Sequence, residues 1–488
     1  MKRGLMTRAR MAWILVLGLV VALLTAASAA VVQSGPAVML TTQVAGVSVI
    51  GGSEPAAVLL SRQLFGSSAS AIVVGSDAGD ADWQRATDEA IRRHVPVFGV
   101  GADGADTVSA ELRRLGVGSL HIVGSVPDDV RAIAPNRDLD SVSGNEPADG
   151  PAPLVYVTTT AGRDAVATAR AASARVVTLP VADPRATGES VAALKDSDAP
   201  VLAVGDQFGD DAEFARRVAA ARSVAELPGG GQLIFPMRRM VALYGSPDAP
   251  ALGPLGRQDI PSSIARAKRL AADYQRVSRV PVIPAFEIIA TVASASPGEG
   301  NTYTNMIDPA VIRPWIAAAR AAGVYVTLDL QPGRMDFLSQ AKRYAEFLRQ
   351  PHVGLALDPE WRLKPNQVHL TQIGSVEAAE VNRTSDWLAT LIRDNQLPQK
   401  LFVLHQFDSD MLANRKQIIT SHPELQVLLH ADGHGAPPVK MDTWRRLITD
   451  LPAGVWMGWK NFYTEDKPTF TPAQTMAVTP TPWFVSYQ

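Results

Sequence analysis

The chain has 488 residues, more than one hydrophobic core usually takes up, so two or more domains are expected. Its 46 basic and 48 acidic residues nearly cancel and are interspersed, which leaves no basic field to attract nucleic acid. Cysteine is absent, so disulfides, thiolate metal sites and lipid attachment at cysteine are excluded and packing alone must stabilise the fold.

Lys2, Arg3, Arg8 and Arg10 precede an uncharged run from Met11 to Val32, in which Ala27-Ser28-Ala29 fits a small-residue cleavage site. Residues 1–30 are therefore expected to be an export signal. Left uncut, the same run is long enough, at ~20 residues, to anchor the chain in a membrane. Positive charge on its amino-terminal side puts the remainder outside the cytoplasm in either version.

Between residues 44 and 226 short apolar runs alternate with amphipathic ones: "GVSVIGG", "EPAAVLLSRQLFG", "SAIVVGS", "DADWQRATDEAIRRH", "VPVFGVG", "VSAELRRLG", "SLHIVGS". A second set, "PLVYVTTT", "ARVVTLP" and "PVLAVGD", follows the loose stretch "SGNEPADGPAP". Strand-helix alternation of this kind predicts an α/β domain built on parallel sheet. "GVGADG", from Gly99 to Gly104, matches G-x-G-x-x-G, but "SLHIVGS" ends without the acidic residue a dinucleotide site requires, so a turn is expected there.

From Val44 to Val126 the order of these segments resembles the cell wall binding repeat 2 family, carried by "VAGVSVIGGSEPAAVLLSRQLFG", "AIVVGSD", "VPVFGVG" and "SLHIVGS". That resemblance implies attachment to cell wall polysaccharide.

The Gly- and Pro-rich stretch "LPGGGQ" (Leu227 to Gln232) is read as the domain boundary. Residues 233–488 then hold eight apolar runs: "MRRMVALYG", "VPVIPAFEII", "VYVTLDLQ", "VGLALDPEW", "KLFVLHQF", "LQVLLHAD", "GVWMGWKN" and "PWFVSYQ". Helix-like segments separate most of them, "MLANRKQIITSHPE" after the fifth being a poor helix. Eight strand-helix units in about 250 residues predict a (β/α)8 barrel of the TIM type, whose site lies at the carboxyl ends of the strands.

Those ends carry Glu287 in the second run, Asp329 and Gln331 in the third, Asp358 and Glu360 in the fourth, His405 in the fifth, His430 and Asp432 in the sixth, and Lys460 in the seventh. In an extended strand Asp358 and Glu360 share a face, and like charges so close penalise each other's ionisation, so one carboxyl tends to keep a proton. A salt-bridged rim, with Arg362 or Arg334 as partners, is the competing explanation. Trp361, Trp456, Trp459 and Tyr463 are candidates to present ring faces to sugars, while His434 belongs to a Gly-flanked loop.

The "DPE" ending of the fourth strand resembles the D-x-E of the chitinase-like family 18 glycoside hydrolases and of the family 25 lysozymes. The resemblance implies Glu360 as proton donor, assisted by Asp358. A second carboxylate is sought in Asp329, Asp432 or Glu287, with His405, His430, Trp361, Trp459 and Lys460 as substrate-binding candidates. The expectation is an exported envelope protein, with a wall-polymer-binding region and a barrel that hydrolyses an envelope polysaccharide without a cofactor. Two alternatives remain: a metal-dependent hydrolase built on Asp329, Asp358, His405, His430 and Asp432, for which no H-x-H or H-E-x-x-H spacing exists, and a non-catalytic wall protein with a degenerate barrel that binds glycan or a protein partner.

Overall fold

The structure, a computed structural model, describes residues 46–101, 104–134, 151–247 and 249–488. The expected signal or anchor at residues 1–30 lies outside them, and among the described residues no helix is long and apolar enough to cross a membrane. The chain forms two compact units, one holding the chain to Thr178 with Ala199–Asp211, the other Leu179–Asp198 with Ala212–Gln488.

The first unit is α/β. Strands β1 (Val47–Ile50), β2 (Ser70–Gly75), β3 (Val97–Val100) and β4 (Ser119–Val123) alternate with helices α1 (Ala56–Leu64), α2 (Asp80–Arg93) and α3 (Ala105–Leu115). They are followed by β5 (Leu154–Thr158), α4 (Arg163–Ala171), β6 (Arg175–Leu179) and β7 (Val201–Val204). Two sheets result, in the orders β3-β2-β4 and β1-β7-β5-β6. The pairings of β2 with β3 and β4, and of β7 with β1 and β5, are parallel, as continuous apolar runs between amphipathic helices require. In "GVGADG", Gly104 takes φ +93°, a conformation suited to glycine, immediately before α3.

The second unit contains α5 (Gly188–Lys195), most of α6 (Asp211–Ser223) and a closed barrel. Its strands are β8 (Arg239–Gly245), β9 (Val282–Ala293), β10 (Tyr325–Leu330), β11 (Val353–Leu357), β12 (Lys400–Gln406), β13 (Leu425–Ala431), β14 (Trp456–Asn461) and β15 (Phe484–Tyr487). Each pairs in parallel with the next, and β15 returns to β8, so all eight expected runs are barrel strands.

Crossovers use α7 (Ile260–Gln275), α8 (Pro309–Ala322), α9 (Phe337–Arg343), α10 (Ala378–Asp394), α11 (Pro437–Ile448) and α12 (Pro472–Met476). After β12 the chain makes only two short 3₁₀ turns, Ser409–Met411 and Arg415–Gln417, and a two-residue strand. "MLANRKQIITSHPE" lacks a sustained apolar stripe, so it has no helical face to bury.

Alternation along each strand sorts the side chains into two cores. Outward residues such as Phe286, Leu328, Leu355, Phe402 and Leu429 pack against the helices. Inward residues fill the barrel in layers. Phe235, Met240, Ile283, Tyr325, Leu401 and Phe484 form one cluster with Ala242, Ala285, Ala356, Val403 and Leu428, and Trp456 and Trp483 pack against it. Above this apolar filling, toward the carboxyl ends, the inward positions turn polar.

Candidate active site

Each barrel strand, or the residue just after it, contributes a polar side chain to one layer: Tyr244, Glu287, Asp329, Asp358, His405, His430, Lys460 and Ser486. All are buried, and Asp432, one residue beyond β13, joins them. The layer is knit across the barrel. Tyr244 Oη donates to Asp329 Oδ2 at 2.7 Å. His405 Nδ1 lies 3.0 Å from Asp432 Oδ2, and its Nε2 lies 3.0 Å from Glu287 Oε1. His430 Nε2 is 3.3 Å from Ser486 Oγ, and its ring centre is 4.8 Å from that of His405. Lys460 Nζ stands 3.8 Å over the Tyr244 ring and 3.9 Å from Asp432 Oδ2.

A cavity of about 350 Å³ opens above this layer. Asp358, Glu360, Trp361, Asp432 and Lys460 line it, together with Tyr244 and His434. Glu287, Asp329, His405 and His430 do not line it and belong to the buried layer below.

Asp358 and Glu360 come together by a different route from the one the strand pattern predicts. β11 stops at Leu357, and Pro359–Trp361 form a 3₁₀ turn, so a turn rather than strand alternation brings Glu360 and Trp361 over the barrel mouth. Proline, with φ fixed and no N–H to donate, suits the first position of such a turn. The competing salt-bridged rim does not form: Arg362 pairs with Glu380 at 3.0 Å, and Arg334 donates to the carbonyl of Gln367 at 2.8 Å.

Two tryptophan candidates fall elsewhere. Trp459 precedes the inward Lys460 and therefore points to the helices, stacked on Phe470 at 5.2 Å and beside Trp444 at 5.5 Å. Trp456 faces into the barrel at the opposite end, 5.5 Å from Phe235 and 5.1 Å from Trp483. Tyr463 lies under Arg266 and beside Tyr487. Tyr244 and Ser486 are site residues that the sequence reading passed over. Each shares the inward parity of its strand, Tyr244 with Met240 and Ala242, and Ser486 with Phe484.

The electrostatics divide the carboxyl groups. Burial, with the negative Asp432 nearby, raises the Glu360 carboxyl to about 7, against the opposing pull of Lys460 and His405. Burial and Asp329 push Asp358 well above the ordinary value, and burial raises Asp329 to about 6. Asp432 goes the other way. Burial opposes its ionisation, but the hydrogen bond and positive charge of His405, with Lys460, hold it at about 2. Burial works against a charged His405 as well, yet Glu287 and Asp329 outweigh it and the imidazolium is favoured. His430 is pushed down to about 3 by burial and is neutral.

Asp358 Oδ1, Asp432 Oδ1, Asp329 Oδ1, Glu287 Oε2 and His430 Nδ1 are buried without a hydrogen-bond partner among the described residues. Unpartnered buried acceptors are costly in a purely structural cluster and are expected where a ligand completes the set. Asp358, Glu360 and Asp432 each bring a carboxylate oxygen within 4.8 Å of the others, an all-oxygen set suited to a hard divalent cation. Glu287, His405 and His430 lie as close together, but both ring nitrogens of His405 already face carboxylates at hydrogen-bond distance.

No family model matches the chain and no curated protein sequence does, so the likeness of Val44–Val126 to cell wall binding repeats gains no support from a family match.

Proposed function

We propose that the barrel is a glycoside hydrolase acting on an envelope polysaccharide, with Glu360 as general acid and Asp432 as the partner carboxylate. One observation carries this reading: two carboxyl groups of one cavity have opposite protonation preferences, Glu360 raised to about 7 and Asp432 lowered to about 2. Environments that separate two carboxyls in this way divide the acid and base roles between them.

Glu360 would protonate the glycosidic oxygen as the bond to the anomeric carbon breaks. Asp432 offers Oδ1, which has no hydrogen-bond partner among the described residues, while Oδ2 is held by His405. An oxygen of each group lies no more than 4.8 Å from one of the other, short of the roughly 6.5–9.5 Å that leaves room for an inverting water, which favours a retaining arrangement. Attack by Oδ1 would then form a glycosyl-enzyme ester, which a water deprotonated by Glu360 hydrolyses. Trp361 and Phe462 give the cavity ring surface, and Lys460 adds positive charge beside Asp432. The amino-terminal export pattern and the repeat-like first unit fit an extracellular wall substrate.

The closeness of Asp358, Glu360 and Asp432 favours a second reading, a metal-assisted hydrolase in which these three carboxylates hold a divalent cation. One experiment separates the two: release of reducing sugars from isolated bacterial cell wall fractions by residues 31–488 and by the Glu360→Gln variant, with and without chelator. Release that survives chelator and disappears in the variant supports the acid-base reading, and loss in chelator supports the metal. Co-sedimentation of both proteins with wall, without release from either, replaces both by a non-catalytic binding role.

A further inference from the structure

Two of the segments that line the cavity meet at a buried charge pair. One follows β13 and carries Asp432, Gly433 and His434; the other ends β14 and carries Lys460 and Phe462. Between them lies the ammonium of Lys440, near the start of α11. It donates to the carbonyl of Gly433 at 2.9 Å, to the carbonyl of Lys460 at 2.7 Å and to Asp466 Oδ2 at 2.9 Å. Three N–H groups meet three acceptors, so the donor set of a lysine is complete. Asp466 in turn accepts from the Gly435 amide at 3.0 Å and from the Phe462 amide at 2.9 Å. The side chains of Lys440 and Asp466 are 2% and 0% exposed, and the Trp459 ring lies 4.8 Å from the ammonium.

A pair of this kind is a poor source of stability, because desolvating two charges cancels most of their attraction, and apolar residues of similar size often serve as well. What it does supply is direction. Four backbone groups of two segments are tied to one point, and those segments carry Asp432 and Lys460, which stand 3.9 Å apart at the cavity. We propose that Lys440 and Asp466 are positioning residues, a buried clamp that fixes the Asp432 and Lys460 segments relative to each other so that Asp432 and Glu360 face one ligand. The proposal rests on the hydrolase reading for its catalytic consequence and on the hydrogen bonds alone for the clamp itself.

The test uses residues 31–488 bearing Lys440→Met, Asp466→Asn, or the paired Lys440→Met/Asp466→Leu, which leaves no lone buried charge and guards against simple unfolding. Hydrogen-deuterium exchange followed by mass spectrometry reports on the clamp. Faster exchange confined to residues 432–436 and 460–466, with β8 to β12 as protected as in the parent, is the expected result. Acceleration spread over the whole barrel, or none in those two segments, overturns the proposal. Sugar release from wall fractions reports on the consequence: turnover falls about 100-fold, as a displacement near 1 Å can cause, with a smaller change in KM. A change in KM with turnover intact removes the positioning role. A parent that releases no sugar removes the hydrolase reading, and the exchange pattern still decides whether the clamp exists.

Discussion

Glu360 and Asp432 share one cavity, yet only one of them is held ionised, and the difference comes from what stands behind each. Asp432 has the His405 ring against Oδ2, whereas Glu360 receives only the longer-range pull of Lys460 and His405 against its burial. Glu360→Gln keeps the shape and removes the transferable proton, so turnover on wall polysaccharide should fall by about 10²–10⁴-fold, the usual contribution of a general acid. Parent-like release by the variant would end its assignment as the acid. In the proposed acid role the protonated form is the working one, so parent activity should decline as pH rises through about 7, while Asp432, at about 2, keeps the acid side open. Stability has its own sign. A carboxyl raised from 4.5 to about 7 adds stability that is complete below pH 4.5 and is lost as pH climbs through 7. The glutamine stays neutral throughout, so the melting temperature of Glu360→Gln should rise relative to the parent between about pH 5 and pH 8. A constant gap would mean that Glu360 is not perturbed. At this scale the sequence reveals the residue types but not the facing of neighbours: Trp459 and Lys460 are adjacent in a strand and cannot both reach the cavity.

The strands were legible because a barrel strand is buried on both faces and reads as an unbroken apolar run, and all eight runs from "MRRMVALYG" to "PWFVSYQ" are strands. Their ends were less legible. Hydrophobicity does not distinguish Asp358 as the last residue of a strand from Asp358 as the first of a turn, and here the turn at Pro359 sets the position of Glu360. Tyr244 was passed over for a related reason: in "MVALYG" it looks like one more apolar residue, and only the inward parity of its strand identifies the hydroxyl that meets Asp329. The apolar layers below the site depend on a residue that precedes the first strand. Phe235, 3% exposed, sits against Trp456 and Trp483 at the amino-terminal end of the barrel. Phe235→Ala should lower the unfolding free energy of the barrel by about 3–5 kcal/mol, the cost of emptying a core phenylalanine site. The check is a urea midpoint that drops with an unchanged slope, and an unmoved midpoint would show that the layer closes without it.

Across the whole molecule the chain does not pass from one unit to the other at a single point. It enters the barrel unit at Leu179, leaves for Ala199–Asp211 and returns at Ala212. The stretch Leu227–Gln232, rich in glycine and read as the domain boundary for that reason, lies inside the second unit, where Leu227 is 3% exposed within the interior apolar cluster. Gln232 Nε2 donates back to the carbonyls of Ala221 and Val224 at 3.2 and 2.9 Å, and Arg238 donates to the carbonyls of Pro228 and Gly230. Glycine and proline report that a segment turns, not whether it is packed, so composition alone has no means of separating a linker from a strap. A fragment of residues 233–488 keeps every barrel strand but loses α5, α6 and Leu227. Removing a buried leucine costs about 2–5 kcal/mol, and a unit of this size shifts its melting temperature by about 2–4 °C per kcal/mol. The fragment should therefore melt at least about 4 °C below the barrel transition of residues 31–488. Equal melting temperatures would mean that the barrel is complete without the strap and that the glycine-rich stretch is the domain boundary after all.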